Sequence, residues 1–305
     1  MIIFLLVLLA LIFPAKVEAA ACDETIGSES LQTFVNGLQS GEAGCLTGTR
    51  QGGVTISTPE VTLRSEPGTR ATIQGGQVRV AQSANGVTLT KLKLIGGSGV
   101  VSPLIYASGV EISNSDITGP EICVHVDVYP PAPIPYGVKI IGNYIHDCGH
   151  FPPTNFDHGI YLSDSEGTII KNNVIVRNAD RGVQLYPNAN DSRIIGNVID
   201  SNGEGIIFGD YSTGNLVRGN IISRPLLRYG VEAISFPGVT NLVKNNCTWS
   251  QNLYGAGVPV GSGIMPPGPS VGFTARDNIV EEPDFSNGYE NATCGDQTFN
   301  SEPSN

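Results

Sequence analysis

Charge is scarce in this sequence: Asp, Glu, Lys and Arg together make up 15% of its 305 residues. Basic residues are the scarcer sign, 17 against 28 acidic, which leaves a net charge of -11. The cationic footprint of a nucleic-acid binder or of a protein held on anionic lipid is therefore missing. Neither nucleic acid nor a membrane surface is expected as a partner. Helical periodicity is nearly absent, and the 38 glycines argue against a bundle, because glycine costs helix stability and marks turns. Long apolar runs are missing after residue 13. The run at residues 2–13 is too short for a bilayer, which takes about 20 apolar residues. Followed by Pro14 and the small Ala19, Ala20 and Ala21, it reads as a signal peptide over 1–21, although no Lys or Arg precedes it. Acylation of Cys22 is the weaker alternative, since Ala19 stands where a lipoprotein carries a large aliphatic residue. A secreted protein, extracellular or periplasmic, is expected.

C-x-x-C pairs are absent as well, which leaves zinc and redox chemistry without a motif. The six cysteines are Cys22, Cys45, Cys123, Cys148, Cys247 and Cys294. An even count in an exported chain points to disulfides. Spacing cannot choose among the pairings; the sequential one, 22–45, 123–148 and 247–294, is the working expectation.

What the sequence has in abundance is a repeat. GVKIIGNYI from Gly137, GTIIKNNVI from Gly167, DSRIIGNVI from Asp191 and GNLVRGNII from Gly214 share one pattern of alternating aliphatics around an Asn. Weaker copies follow at TNLVKNNCT and GFTARDNIV, and GVTLTKLKL and GVEISNSDI extend the series toward the N-terminus without the Asn. The Asn falls at 143, 173, 197, 220, 246 and 278, with shortest steps of 24 and 23 residues. A second strand recurs between the copies: HGIYLS, RGVQLYP, EGIIFGD and YGVEAIS. Fixed-period self-similarity without helices is the mark of a β-solenoid. Coiling stacks like strands about 4.8 Å apart and brings the Asn side chains into one corner column.

The GVxIxxNxI plus GIxL grammar resembles the right-handed parallel β-helix proteins, among them pectate lyases, alginate lyases and mannuronan epimerases. The resemblance covers about residues 50–285. It implies an all-β parallel β-helix of about eight to ten turns with three short strands per turn. The expected division is an N-terminal cap at 22–48, the β-helix at 49–285 and a C-terminal cap or tail at 286–305. Leu31, Phe34, Val35 and Leu38, with Ser30 ahead, predict a short amphipathic helix over the open first turn. Residues 255–271 read as a Gly/Pro-rich loop.

Strand alternation places the chemistry. With the aliphatics inside, the expected outward column is Asp127, Tyr161, Gln184, Ile207 and Glu232, with His125, Tyr129 and Tyr186 on the same face. All four histidines, 125, 146, 150 and 158, fall in one stretch with Asp127, Asp147, Asp157 and Tyr161. The segment HDCGHFPPTNFDH is the long loop of this region, and long loops on regular scaffolds carry function. Uronic-acid lyases and epimerases remove the proton at C5 and need a base, an acid and a partner for the carboxylate. In this cluster His158 or His125 is the expected base, Tyr161 the acid or a sharer of base duty, and Arg181 the neutraliser, with Asp127 beside them; in the resembling alginate lyases and epimerases Tyr and His play such parts beside a basic neutraliser. Tyr129, Gln184, Tyr186, Glu232 and His150 are expected to bind substrate.

The sequence departs from the epimerase signature Y-G-x-D-P-H, for which DHGIY is a loose analogue. RPLLRYG at 224–230 is similar to the Arg-rich segment of pectate lyases, but a surface arginine at a corner is the preferred reading. Glycoside hydrolysis ranks third, for want of paired carboxylates. No metal is expected; calcium is the candidate ion if one binds, since some relatives use it, and His146, Asp147, His150, Asp157 and His158 offer donors. The leading function is a monomeric lyase or C5-epimerase of uronic-acid polysaccharide. The alternative is a non-catalytic carbohydrate-binding or surface β-helix protein, for which the outward tyrosines serve equally well.

Overall fold

The computed structural model describes residues 21–235, 238–249 and 272–298. The signal peptide expected over 1–21, except its last residue, and the loop expected at 255–271 lie outside the described residues. An 11-stranded sheet and a 16-stranded sheet, parallel throughout, wind the chain into a β-solenoid of about nine turns. The larger sheet holds two stacks of strands, joined where the long strand Thr72–Val80 pairs with both Lys93–Ile95 and Leu104–Ile105. Each complete turn therefore crosses three stacks.

Alternation decides which side chains go inside. In the first stack Ile112, Ile140, Ile170, Ile194, Val217 and Val243 lie in register, each wholly buried. Leu94, Ile117, Ile145, Ile175, Ile199 and Ile222 do the same in the second. At about 2 kcal/mol for each aliphatic side chain removed from water, these ladders dominate the stability of the coil.

The repeated Asn lies at the corner between these two stacks. The residue before it is left-handed in each of these six copies, with φ of 65° at Gly142, 55° at Asn172, 66° at Gly196, 65° at Gly219, 54° at Asn245 and 56° at Asp277.

 Gly, Asn and Asp are the residues that tolerate this conformation, which explains the recurring GN, NN and DN pairs. Each ladder Asn then donates its side-chain amide to the Asn one turn on, from Asn143 through Asn173, Asn197, Asn220 and Asn246 to Asn278. Ser115 continues the column at the N-terminal end, donating its backbone N–H to Asn143 Oδ1 at 3.0 Å. Shorter ladders, Asn178–Asn202 and Asn215–Asn241, line other corners.

The helix Leu31–Gly37 forms where the spacing places it, with Ser30 Oγ accepting from the Thr33 N–H at 3.1 Å. Leu31, Phe34, Val35 and Leu38 join the core of the first turns. Gly44 makes this seat fit, since a Cβ there would lie 2.7 Å from Leu38 and 2.9 Å from the Phe34 ring. The three disulfides are Cys22–Cys45, Cys123–Cys148 and Cys247–Cys294. The last anchors the C-terminal segment, where Cys294 and Ala292 pack with Val198, Ile221 and Cys247. No helix among the described residues is long and apolar enough to cross a membrane.

Candidate active site

The third stack carries the site on its outer face. Val124, Ile160, Val183, Ile206 and Val231 point inward in one ladder, and Val126, Leu162, Leu185, Phe208 and Ala233 in the next. The residues between them face outward in the column His125, Tyr161, Gln184, Ile207 and Glu232. Asp127 does not head this column, contrary to the sequence expectation. The run CVHVDVY offers three alternating valines, and the buried pair is Val124 and Val126, whereas Val128 is half-exposed. The register therefore moves by two residues and His125 becomes the neighbour of Tyr161.

His125 and Tyr161 stack face to face, with ring centroids 4.6 Å apart and planes 3° from parallel. Asp127 stands beside Ser163, whose hydroxyl donates to Asp127 Oδ1 at 2.7 Å. With that proton committed, Ser163 Oγ can only accept from His125 Nε2, 3.1 Å away. The proton of His125 is thereby placed on Nε2, and Nδ1 carries the free lone pair. Burial lowers the His125 pKa to about 4 against the opposing charge of Asp127, so the ring is neutral at pH 7. Burial, with the nearby Tyr186 and Asp127, raises Tyr161 to about 12, which keeps its hydroxyl protonated.

His158 is wholly buried behind this face, edge-on to Tyr161 at 5.3 Å. Burial, aided by the Arg181 charge, lowers its pKa to about 3. Its position beneath the site, out of reach of a polymer, fits a packing residue better than a base. Asp157 anchors the long loop, accepting from the Thr154 N–H and hydroxyl at 2.6 and 2.8 Å and from the His150 N–H at 3.2 Å. His150 is exposed and turns toward Asp157 and the Pro120 carbonyl. The loop itself supplies Asn155 and Phe156 to a cleft of about 350 Å³, whose other walls include Tyr161, Arg181, Gln184 and Tyr186.

Arg181 reaches Asp180 at 2.6 Å, Glu204 at 3.3 Å and the Asn155 side chain at 3.3 Å. Among the described residues its Nη2 has no hydrogen-bond partner, and Arg181 lines the cleft wall. Asp180 is pushed up to about 6 by burial and by Glu204, against the pull of Arg181. Gln184 Oε1 is a buried acceptor without a partner among the described residues. Glu232, expected to bind substrate, is buried and paired with Arg228. Tyr186 is exposed across the cleft floor, and Tyr129 is exposed beyond its N-terminal end. Arg224 pairs with Asp200 and lies over the rings of Phe285 and Trp249, a corner role rather than a cleft role. Among the described residues no group of three or more His, Cys, Asp or Glu side chains is placed to hold a metal ion. Strand alternation places Ser163 outward beside Tyr161 but gives it no role, and only the length of the loop signals Asn155 and Phe156.

A parallel β-helix with a cleft on one outer face is the class that this geometry defines. The chain matches the family model described as right handed beta helix region over residues 76–280, and it belongs to that family. Among solved structures it is similar to an alginate lyase from Paenibacillus sp. str. FPU-7, at 15% identity and a TM-score of 0.60, covering 84% of this chain and 95% of that one. It is similar to pectate lyase Pel9A at 14% identity and a TM-score of 0.59, covering 86% and 79%. The Dettilon tailspike protein matches at 16% identity and a TM-score of 0.52, covering 79% of this chain; the chain spans about half, 52%, of the tailspike's length. No curated protein matches the sequence. At these identities the likeness is one of fold.

Proposed function

We propose that the chain is a secreted, monomeric lyase of uronic-acid polysaccharide, with the reaction at the His125–Tyr161 pair. The carrying observation is that a neutral imidazole, His125, stacks on a protonated phenol, Tyr161, that lines the cleft. His125 Nδ1 takes the C5 proton of a bound uronate, and the electron pair moves toward its carboxylate, which Arg181 Nη2 stabilises. The C4–O4 bond then breaks, the leaving oxygen takes the Tyr161 proton, and a C4=C5 double bond remains. Base and acid on one side of the sugar suit removal of H5 and O4 from the same face. Epimerisation needs groups on opposite faces, so elimination is the better reading. Gln184 Oε1 stands ready for a sugar hydroxyl, and Tyr186 for stacking against a ring. The similarity to an alginate lyase and a pectate lyase supports a uronate polymer as substrate, and the three disulfides suit an oxidising compartment. No resident cofactor is assigned, and no step runs through calcium.

The test is ultraviolet absorbance of the unsaturated product during incubation with alginates, pectates and glycosaminoglycans, with and without a chelator. A rise lost in both His125→Ala and Tyr161→Phe supports the lyase. Binding without any rise favours the non-catalytic carbohydrate-binding reading, for which the exposed Tyr186, Phe156 and Ile234 around the cleft are the supporting observation.

A further inference from the structure

Two arginines stand on the strands of the third stack, and they are solvated differently. Arg181 is matched by two carboxylates, Asp180 and Glu204. Arg79, at the N-terminal end of the same face, has among the described residues no carboxylate within ion-pair distance and no hydrogen bond, and its Nε is buried without a partner there. Its guanidinium lies 5.0 Å from the Tyr106 ring centre and 5.4 Å from that of Tyr129. The two rings meet edge to face at 5.5 Å, and Tyr129 is 48% exposed. Aromatic faces steady a cation but leave its in-plane N–H donors unused. A carboxylate is the partner that such a planar fork accepts in two parallel bonds.

We propose that Arg79, Tyr106 and Tyr129 form a subsite for a uronate carboxylate, with the tyrosines bearing on the sugar ring. The inference rests on the uronate-polymer reading above and extends it along the coil. Arg79 registers with Leu104, Leu104 with His125, and His125 with Tyr161. Arg79 thus lies three strand spacings, about 14 Å, from Tyr161. A chain running along the coil axis reaches it only when several sugar units long, so the subsite selects for length as well as charge.

The experiment is calorimetric titration of wild type, Arg79→Gln, Arg79→Lys and Tyr129→Ala with uronate hexamers from alginate and pectate. The same hexamers with reduced carboxyl groups, and uronate dimers, serve as comparisons, and a thermal melt verifies the fold of each variant. Arg79→Gln is expected to weaken hexamer binding about tenfold while leaving the carboxyl-reduced hexamer unchanged. Arg79→Lys should recover part of the loss, and Tyr129→Ala should weaken both hexamers. Equal wild-type and Arg79→Gln affinities for the uronate hexamer would overturn the subsite and leave the cleft assignment standing. An equal loss for charged and reduced hexamers would also overturn it, by making Arg79 a packing partner of the tyrosines alone. Failure of the wild type to bind any uronate hexamer would remove both the subsite and the lyase reading.

Discussion

Asn197→Ala tests the corner column where its partners are most deeply buried. Asn197 Oδ1 accepts from the Asn173 backbone N–H and side-chain amide, both at 2.9 Å. Its own amide donates to the Ile170 carbonyl at 3.0 Å and to Asn220 Oδ1 at 2.9 Å. Truncation leaves the Asn173 N–H with no acceptor, whereas the Asn173 amide keeps the Ile140 carbonyl and Asn220 Oδ1 keeps the Asn197 N–H. One orphaned buried donor costs about 1–3 kcal/mol, and the weakened pairs add about 1 kcal/mol or more, for a total near 3 kcal/mol. Asn278→Ala is the matched comparison, because its bonds to Asn246 and Val243 lie at the half-exposed end of the column. Water replaces the lost acceptor there, and the cost should be about 1 kcal/mol. Urea unfolding followed by far-ultraviolet circular dichroism, with disulfides oxidised, measures both as midpoint shifts at unchanged slope. Equal losses in the two variants, or a loss below about 0.5 kcal/mol for Asn197→Ala, would refute the claim that the column holds the corner by buried pairing.

Three further outcomes follow from the site. His158 and His125, at about 3 and about 4 in the fold, are held below the unfolded value of about 6.5. The unfolded chain then binds more protons in that window, so stability falls as pH drops from about 6.5 toward 3. Asp180, raised to about 6, acts in the opposite sense between about pH 4 and 6, so Asp180→Asn should steepen the acid loss seen in pH-dependent urea midpoints. In the lyase reading, the acid limb of kcat/KM lies near pH 4, and Asp127→Asn moves it lower, because the Asp127 charge raises the His125 pKa. A limb near 6.5, or a shift upward, would exclude His125 as the base. Gly209→Ala places a Cβ 2.5 Å from the Tyr186 ring and should raise KM about two- to tenfold through lost stacking, with unchanged kinetics as the contrary result.

The coil was legible because its determinants recur. A left-handed corner favours Gly, Asn or Asp, the next position takes Asn, and both recur in the six copies from Asn143 to Asn278, so short copies suffice to reveal them. Site residues carry no such repetition. His158 and His125 look alike in sequence, each within two residues of an aspartate, and only the register shows one behind the face and the other upon it. The alternation of Val124, Val126 and Val128 admits two inward pairs, and choosing between them fixes whether His125 or Asp127 meets Tyr161. Arg79 was passed over because nothing local distinguishes an arginine clamped by two tyrosines from one in solvent; Tyr106 and Tyr129 reach it only through coiling.

The irregularities of the repeat nevertheless point to the cleft. Between Asn173, Asn197 and Asn220 the steps are 24 and 23 residues, but between Asn143 and Asn173 the step is 30. Register across that longer step is undisturbed, with Lys139, Ile140 and Ile141 opposite Ile169, Ile170 and Lys171. The extra residues must therefore leave the coil, and they do so in the loop that brings Asn155 and Phe156 to the cleft. The 26-residue step from Asn220 to Asn246 likewise contains Arg228, which pairs with Glu204 and with Glu232 of the outward column. A solenoid holds each turn by the turns beside it, so it tolerates insertions only at corners. Where an insertion coincides with outward polar and aromatic side chains on the adjoining strands, the departure from the period becomes the locator of the site.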